Sequence, residues 1–306
     1  MGKPSILGIG KEAFFEVINK ASSQPSFKFP AYQLETAYRL SHTMGLPHFS
    51  ALPTVPKSLQ NILDENFAID FGEIKNQAIS FDGTKRCAIQ FSENERCLVE
   101  TVLIPEFNNR NTLCVSSQVG CSLSCSFCHT GTQKLIKNLS AAEILGQVIN
   151  AAIDLSDIPF EKSKRFQRLT NVVFMGQGEP LYNWSNVSQA IQTLTDENIY
   201  GMSPSRITIS TSGISPLIPK VADLGVKLAV SLHAPNDDLR SDIMDINKTY
   251  PLATVIEACK EYLEKTQHKE RITIEYVMLR YFNDSERCAQ DLARLLDGMN
   301  VFVNLM

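Results

Sequence analysis

The spacing of apolar positions changes character along the chain. Up to about residue 75, apolar residues recur at helical spacing in KEAFFEVI, YQLETAYRL and KSLQNILDENF, interrupted by Pro25, Pro30, Pro47, Pro53 and Pro56. This predicts a helical accessory domain over 1–75. Over 76–106 the period drops to two in AISFDG, KRCAIQF and RCLVETVLIP, with a turn signal at Asp82-Gly83, which predicts a β-rich hairpin connector. From residue 107 to the end, strand-like and helix-like stretches alternate, the pattern of an α/β core of parallel strands joined by crossover helices. The predicted strands are TLCVSSQ, LTNVVFMG, RITIST, GVKLAVSLH, RITIEYVML and NVFVNLM. Ser140 and Glu143 form a capping box at one helix start, where Leu139 can staple onto Ile144, and Asn283 with Glu286 predicts a similar start near the end.

The faces of these strands carry a second message. In GVKLAVSLH, Val226, Leu228, Val230 and Leu232 alternate with Ala229, Ser231 and His233; in RITIST, Ile207 and Ile209 oppose Thr208, Ser210 and Ser212; in RITIEYV, Ile272 and Ile274 oppose Thr273 and Glu275. The interior of a closed barrel is ordinarily filled by Val, Ile and Leu. Any one of these polar residues is explained by a strand end satisfied by backbone or water. Together they predict a cavity for a polar ligand.

The chain's 306 residues, 43% of them hydrophobic, can bury a large core and suit one main domain with a smaller one. No stretch approaches the roughly 18 apolar residues that span a bilayer, and MGKPSILGIGKEAFFEVINK has neither a signal-peptide core nor an Arg-rich transit pattern, so the expected location is cytoplasmic, with no membrane partner. A net charge of −4 excludes a uniformly basic nucleic-acid binder. RNA contact would be local, at Lys134 and Lys137 or in EKSKRFQR, where Lys162, Lys164, Arg165 and Arg168 outnumber Glu161; a solvated basic loop explains either equally well.

The chemistry concentrates in GCSLSCSFC, where Cys121, Cys125 and Cys128 follow a C-x₃-C-x₂-C spacing. Closed iron–sulfur and structural zinc sites take four ligands, so a tight trio points to an iron–sulfur cluster with one open iron. The competing readings are a zinc site completed by His129, disfavoured because adjacent ligands do not easily share one tetrahedral ion, and a disulfide, disfavoured in a cytosolic chain. Cys87, Cys97, Cys259 and Cys288 have no metal-ligand spacing. Downstream, MGQGEP places Gly176, Gly178 and Glu179 at a strand's C-terminal end, where parallel α/β folds bind ligands. Alone, the turn would be a weak signal.

The cysteine trio resembles the signature of the radical S-adenosylmethionine (SAM) superfamily, and MGQGEP its SAM-binding turn. In order, TLCVSSQVGCSLSCSFCHTGTQKLIKNLSAAEILGQV, TNVVFMGQGEPLYNWSNV, RITISTSGISP, LAVSLHAPNDDLR and RITIEYVML resemble the RlmN/Cfr-type RNA adenine methyltransferases from about Leu98 to the C-terminus, with a looser match before it. The resemblance implies a partial six-stranded (β/α)₆ radical SAM barrel over 107–306, preceded by the helical domain and the β-hairpin extension. It implies methylation of carbon 2 of adenine in 23S rRNA and tRNA, with SAM as methyl donor and radical source, an external electron donor of flavodoxin type, and a monomer. Carried over by position, Cys121, Cys125 and Cys128 would hold a 4Fe-4S cluster, and Gly178, Glu179, Ser210, Ser231, Leu232 and His233 would contact SAM. Cys114 would resolve a covalent enzyme–RNA intermediate and Glu100 would accept a proton. For Cys114 the other reading is a small buried hydrophobe, and for Glu100 a solvent-facing strand residue.

The family also places a methyl-accepting cysteine, and an asparagine contact to SAM, in a tail beyond the sixth strand, and no residue up to Met306 takes the cysteine's role. The expectation is therefore a chain that binds cluster and SAM without completing methyl transfer on its own. The alternatives are a non-catalytic RNA-binding relative that retains the cluster, and a radical SAM enzyme of another substrate class.

Overall fold

The computed structural model of the chain describes residues 2–22, 29–91, 97–158 and 166–306. Pro25 and, within the basic stretch, Glu161, Lys162, Lys164 and Arg165 lie outside the described residues; Arg168 is described, and its guanidinium donates to the Leu155 carbonyl at 2.8 Å. The helices are α1 (Lys11–Ala21), α2 (Ala31–Thr43), α3 (Lys57–Asn66), α4 (Ala141–Asp154), α5 (Trp184–Thr195), α6 (Ile218–Val221), α7 (Asp237–Ile243), α8 (Leu252–Lys265) and α9 (Glu286–Leu295). The strands are β1 (Glu73–Ile79), β2 (Lys85–Gln90), β3 (Leu98–Glu106), β4 (Arg110–Cys114), β5 (Gln118–Val119), β6 (Lys137–Asn138), β7 (Leu169–Phe174), β8 (Ile207–Thr211), β9 (Lys227–Ser231), β10 (Ile272–Tyr276) and β11 (Val301–Leu305). Each strand expected from the core pattern is present. Among the described residues no helix is long and apolar enough to cross a membrane.

The chain divides into two compact units. The first comprises 1–115, 139–171 and 185–202. Pro30 and Pro56 occupy the N-caps of α2 and α3, so two of the prolines that interrupt the helical pattern mark where helices begin. Phe14 of α1 packs its ring on Tyr38 of α2 (5.2 Å between centroids) and on Phe67 just after α3 (5.7 Å), closing a small aromatic core. β1 to β4 form an antiparallel meander, with Arg86 opposite Val102 and Val102 opposite Cys114. The tight β1–β2 connection is the expected one: Asp82 accepts from the Thr84 amide, and Gly83 takes a φ of +85° that a side chain would resist. Val99, Thr101 and Leu103 are buried, as are Ile144, Leu145 and Val148 of α4, and the Thr101 hydroxyl donates to Gln147 of α4 at 2.8 Å. Ser140 and Glu143 close the reciprocal capping box at the start of α4, a feature of this kind stabilising the helix by about 1 kcal/mol.

The second unit comprises 116–138, 172–184 and 203–306. Its strands run parallel, with β8 beside β7, β9 beside β8, β10 beside β9 and β11 beside β10. Ile207, Ile209, Leu228, Val230, Ile272 and Ile274 are solvent-free, each such side chain contributing roughly 1.5–3 kcal/mol of burial. Parallel neighbours require crossover connections, and α6, α8 and α9 lie in them; the Tyr262 hydroxyl of α8 donates to the Val226 carbonyl at 3.0 Å. One expectation is corrected here. The N-cap of α9 is Ser285, which accepts from the Cys288 amide, whereas Asn283 is buried and donates to the carbonyls of His233 and Val277, both at 2.7 Å. A side chain that satisfies two buried carbonyls is worth more there than at an exposed helix end.

Candidate active site

The strand ends of the second unit surround a cavity of about 400 Å³. Cys121, Cys125, Phe127 and Cys128 line it from the cysteine loop, and Gly176, Gly178 and Glu179 from the turn after β7. Ser210 and Ser212, Ser231 and His233, Glu275 and Val277, and Asn304 and Met306 line it from the ends of β8 to β11. The polar alternation read from the sequence thus converges on one space.

Gln118 ties the cysteine loop to the glycine-rich turn. Its Oε1 accepts from the amides of Ser122 (3.2 Å) and Glu179 (3.0 Å), while Nε2 donates to Asn138 at 2.7 Å. Gly178 meets this clamp closely: at its φ of +96° an added Cβ would lie 2.5 Å from the Gln118 Cβ. Gly131 is equally constrained, since a Cβ there would come 2.6 Å from the Cys125 carbonyl oxygen. These glycines are present because backbone must pass backbone.

Glu179 is buried, and its carboxylate is taken up by the fold: Oε1 accepts from the Leu181 amide at 3.0 Å and Oε2 from the Ser212 amide at 2.7 Å. Burial raises its pKa, against the opposing pull of those hydrogen bonds. The hydroxyls of Ser210 and Ser231, in contrast, have no hydrogen-bond partner among the described residues and face the cavity. Glu275 accepts at Oε2 from the Asn304 amide group at 2.7 Å.

His233 sits at a φ of +59° and is nearly solvent-free. Its Nδ1 faces the Val277 N–H at 3.1 Å, and because a backbone N–H only donates, Nδ1 is the unprotonated nitrogen and Nε2 carries the hydrogen. Burial, and then the Arg240 charge, hold its pKa down at about 4. The Phe127 ring packs edge-on against it, 4.7 Å between centroids, joining the cysteine loop to β9. Leu232 is solvent-free and does not line the cavity; its N–H donates to the Glu275 carbonyl, and its own carbonyl accepts from Arg240.

The three thiols suit a polynuclear cluster better than a single ion. Burial pushes Cys125 up to about 12, with Cys121 and Cys128 adding to the effect, and burial likewise raises Cys121. A metal that displaces the proton is the partner such raised thiols suit. Among the described residues no three His, Cys, Asp or Glu side chains are gathered around a single-ion site, and His129 is exposed and absent from the cavity wall. In a cuboidal cluster each thiolate binds a different iron, so ligands ring the group rather than converge on a point.

Glu100 and Cys114 belong to the first unit. Cys114 on β4 pairs with Val102, and Glu100 lies two residues from Val102 on β3, so both occupy the same face as diagonal neighbours. Glu100 is half-exposed with its carboxylate 3.4 Å from Arg86.

A cysteine loop, a glycine-rich turn and polar strand ends around one cavity define a radical SAM protein, and the Radical SAM superfamily profile matches residues 115–292. The resemblance extends further. An RNA methyltransferase named "Dual-specificity RNA methyltransferase RlmN" from Sinorhizobium fredii is 40% identical over 99% of this chain and 76% of its own length; one of the same name from Rhodopseudomonas palustris is 42% identical over 100% of this chain and 78% of its own. A radical SAM methyltransferase from Sphaerobacter thermophilus, known from its crystal structure, superposes with a TM-score of 0.87 at 34% identity, covering 99% of this chain and 84% of that one. The chain belongs to the RlmN family, and its cofactors are a 4Fe-4S cluster and SAM.

Proposed function

We propose that the chain is a radical SAM RNA methyltransferase that methylates carbon 2 of adenine in 23S rRNA and tRNA. The observation that carries this reading is identity of about 40% to RlmN proteins over essentially the entire chain, with the site motifs inside the match. In this reading Cys121, Cys125 and Cys128 hold the cluster. Bound together, cluster and SAM supply a one-electron cleavage of a carbon–sulfur bond and the methyl group.

The chain's own residues bind and orient. Ser210 and Ser231 offer SAM unengaged hydroxyls, and His233 donates from Nε2. Gly178 lets the turn pass close, Glu179 fixes that turn against β8, and Leu232 holds Ser231 and His233 in register. Cys114 resolves the enzyme–RNA adduct and Glu100 accepts a proton, a pairing supported by their shared strand face. The remaining partners are a flavodoxin-type electron donor and RNA, and the protein acts as a cytoplasmic monomer.

Anaerobic reconstitution followed by assays for 5'-deoxyadenosine and for 2-methyladenosine in rRNA and tRNA tests this. Deoxyadenosine is expected from the chain, and 2-methyladenosine once a methyl-accepting cysteine of the kind the family carries beyond its sixth strand is supplied. Deoxyadenosine with RNA still unmodified after that addition would redirect the assignment to another substrate class, and neither product would leave a binding protein.

A further inference from the structure

Arg240, in α7, is entirely buried, and its partners are all neutral. Nε donates to the Leu232 carbonyl (3.1 Å), Nη1 to Asn247 Oδ1 (2.8 Å), and Nη2 to the carbonyls of Ser212 (2.6 Å) and Ser231 (3.3 Å). Among the described residues no carboxylate lies within ion-pair distance of it. Asp237 acts on it from beyond Asn247, whose Nδ2 donates to Asp237 Oδ1 at 2.9 Å, and a buried cation with no direct ion pair is costly, a cost that four hydrogen bonds to neutral acceptors offset only in part.

The same segment grips the cysteine loop. The Ser126 amide donates to the Ile243 carbonyl at 3.0 Å, and the Ser124 hydroxyl donates to Asp245 at 3.1 Å, so both neighbours of Cys125 are fastened to the end of α7 and the residues after it. The guanidinium holds the ends of β8 and β9 while its helix holds the loop around Cys125. Ser212 and Ser231, whose carbonyls the guanidinium engages, line the same cavity as Cys121, Cys125 and Cys128.

We propose that Arg240 is the fixed counter-charge of the iron–sulfur cluster, a buried cation that favours the one-electron-reduced cluster and raises its midpoint potential. The inference rests on the assignment of Cys121, Cys125 and Cys128 to the cluster. Three thiolates leave that group negative, and a further electron makes it more so; in a low-dielectric interior a nearby fixed cation opposes this build-up. Arg240 remains protonated throughout. The only transfer is one electron from an external low-potential reductant to the cluster, with no bond made or broken. Arg240 is thus a positioning and electrostatic residue.

The test is a potentiometric titration of the reconstituted full chain without SAM, followed by visible absorbance and by the electron spin resonance of the reduced cluster. Iron is counted in every sample. Arg240→Gln, which keeps donors and loses the charge, should lower the reduction equilibrium about tenfold, equivalent to about 59 mV for one electron. Arg240→Lys and Asn247→Ala, which keep the charge and lose bonds, should stay near the parent. A fully loaded Arg240→Gln with the parent's midpoint would overturn the proposal, as would equal shifts in Arg240→Gln and Arg240→Lys. If Arg240→Gln does not retain a cluster, thermal unfolding of cluster-free chains decides: apo Arg240→Gln as stable as the apo parent supports a counter-charge, and a large loss makes the arginine a structural residue only. Failure of the parent to load iron would instead refute the cysteine assignment.

Discussion

Replacing Glu179 by glutamine separates two roles that the sequence assigns to one residue. Its carboxylate accepts from two backbone amides, Leu181 at 3.0 Å and Ser212 at 2.7 Å, in a site without solvent. Glutamine offers one carbonyl oxygen, so one amide must face an NH₂ group and lose its acceptor. Loss of a charge-assisted bond costs roughly 1.5–3 kcal/mol, and an unsatisfied buried donor a further 1–3 kcal/mol. Against this, the charge itself no longer has to be buried, and the upward shift of the Glu179 pKa shows that this burial is unfavourable. A net local destabilisation of about 2 kcal/mol is expected, or about 30-fold less hydrogen-exchange protection at the Leu181 and Ser212 amides. Local exchange is the right measurement because a chain of two units need not unfold in one step. SAM affinity should fall as a consequence of the loosened turn. If both amides keep the parent's protection while SAM binding drops by a comparable free energy, the carboxylate acts on the ligand and the turn-holding argument is wrong.

Cys125→Ala should eliminate the iron-dependent absorbance of the anaerobically reconstituted protein; retention of a full complement of iron would contradict the cluster assignment. Ser231→Ala should weaken SAM binding by about 1 kcal/mol, whereas Leu228→Met, which keeps volume on a solvent-free face, should leave affinity within error, as equilibrium dialysis can check. His42, solvent-free with Nδ1 on the Tyr38 carbonyl at 2.8 Å, is held near pKa 4 by burial, below its ordinary 6.5. The unfolded chain therefore binds the proton more readily, and the stability present above pH 6.5 is lost as pH falls toward 4, by about 2 kcal/mol at about pH 5. Amide exchange along α2 should show that slope in the parent and not in His42→Gln; the same slope in both would assign it to another group.

The fold was legible where one period governs a segment. The two-residue alternation of β8, β9 and β10 places Ile207, Ile209, Leu228 and Ile274 in the core because each strand buries an apolar face between neighbours at fixed register. Signals spanning three or four residues were equally readable, as Ser140 with Glu143 shows. Asn283 was misread as a cap for the complementary reason. Its partners are the carbonyls of Val277 and of His233, the latter 50 positions away in sequence, and nothing local announces a bond across that separation.

The candidate site divides in the same manner. Cys121, Cys125 and Cys128, with Gly178 and Glu179, were legible because the chemistry demands a short spacing or a turn that only glycine adopts. Gln118 and Arg240 were not, although each holds more of the cavity together than the residues lining it. Gln118 reads as an ordinary polar position at a strand end, yet it bonds the residue after Cys121 and the residue after Gly178 with one carboxamide oxygen. Arg240 reads as a solvated helix residue in NDDLRSD, flanked by acids that suggest surface ion pairs; the helix instead turns it inward to neutral carbonyls. In both cases the burden falls on a long polar side chain reaching backbone groups of separate loops and strand ends, and backbone groups carry no sequence signature. A site built on strand ends is therefore announced by its ligand-facing residues and concealed in its supports.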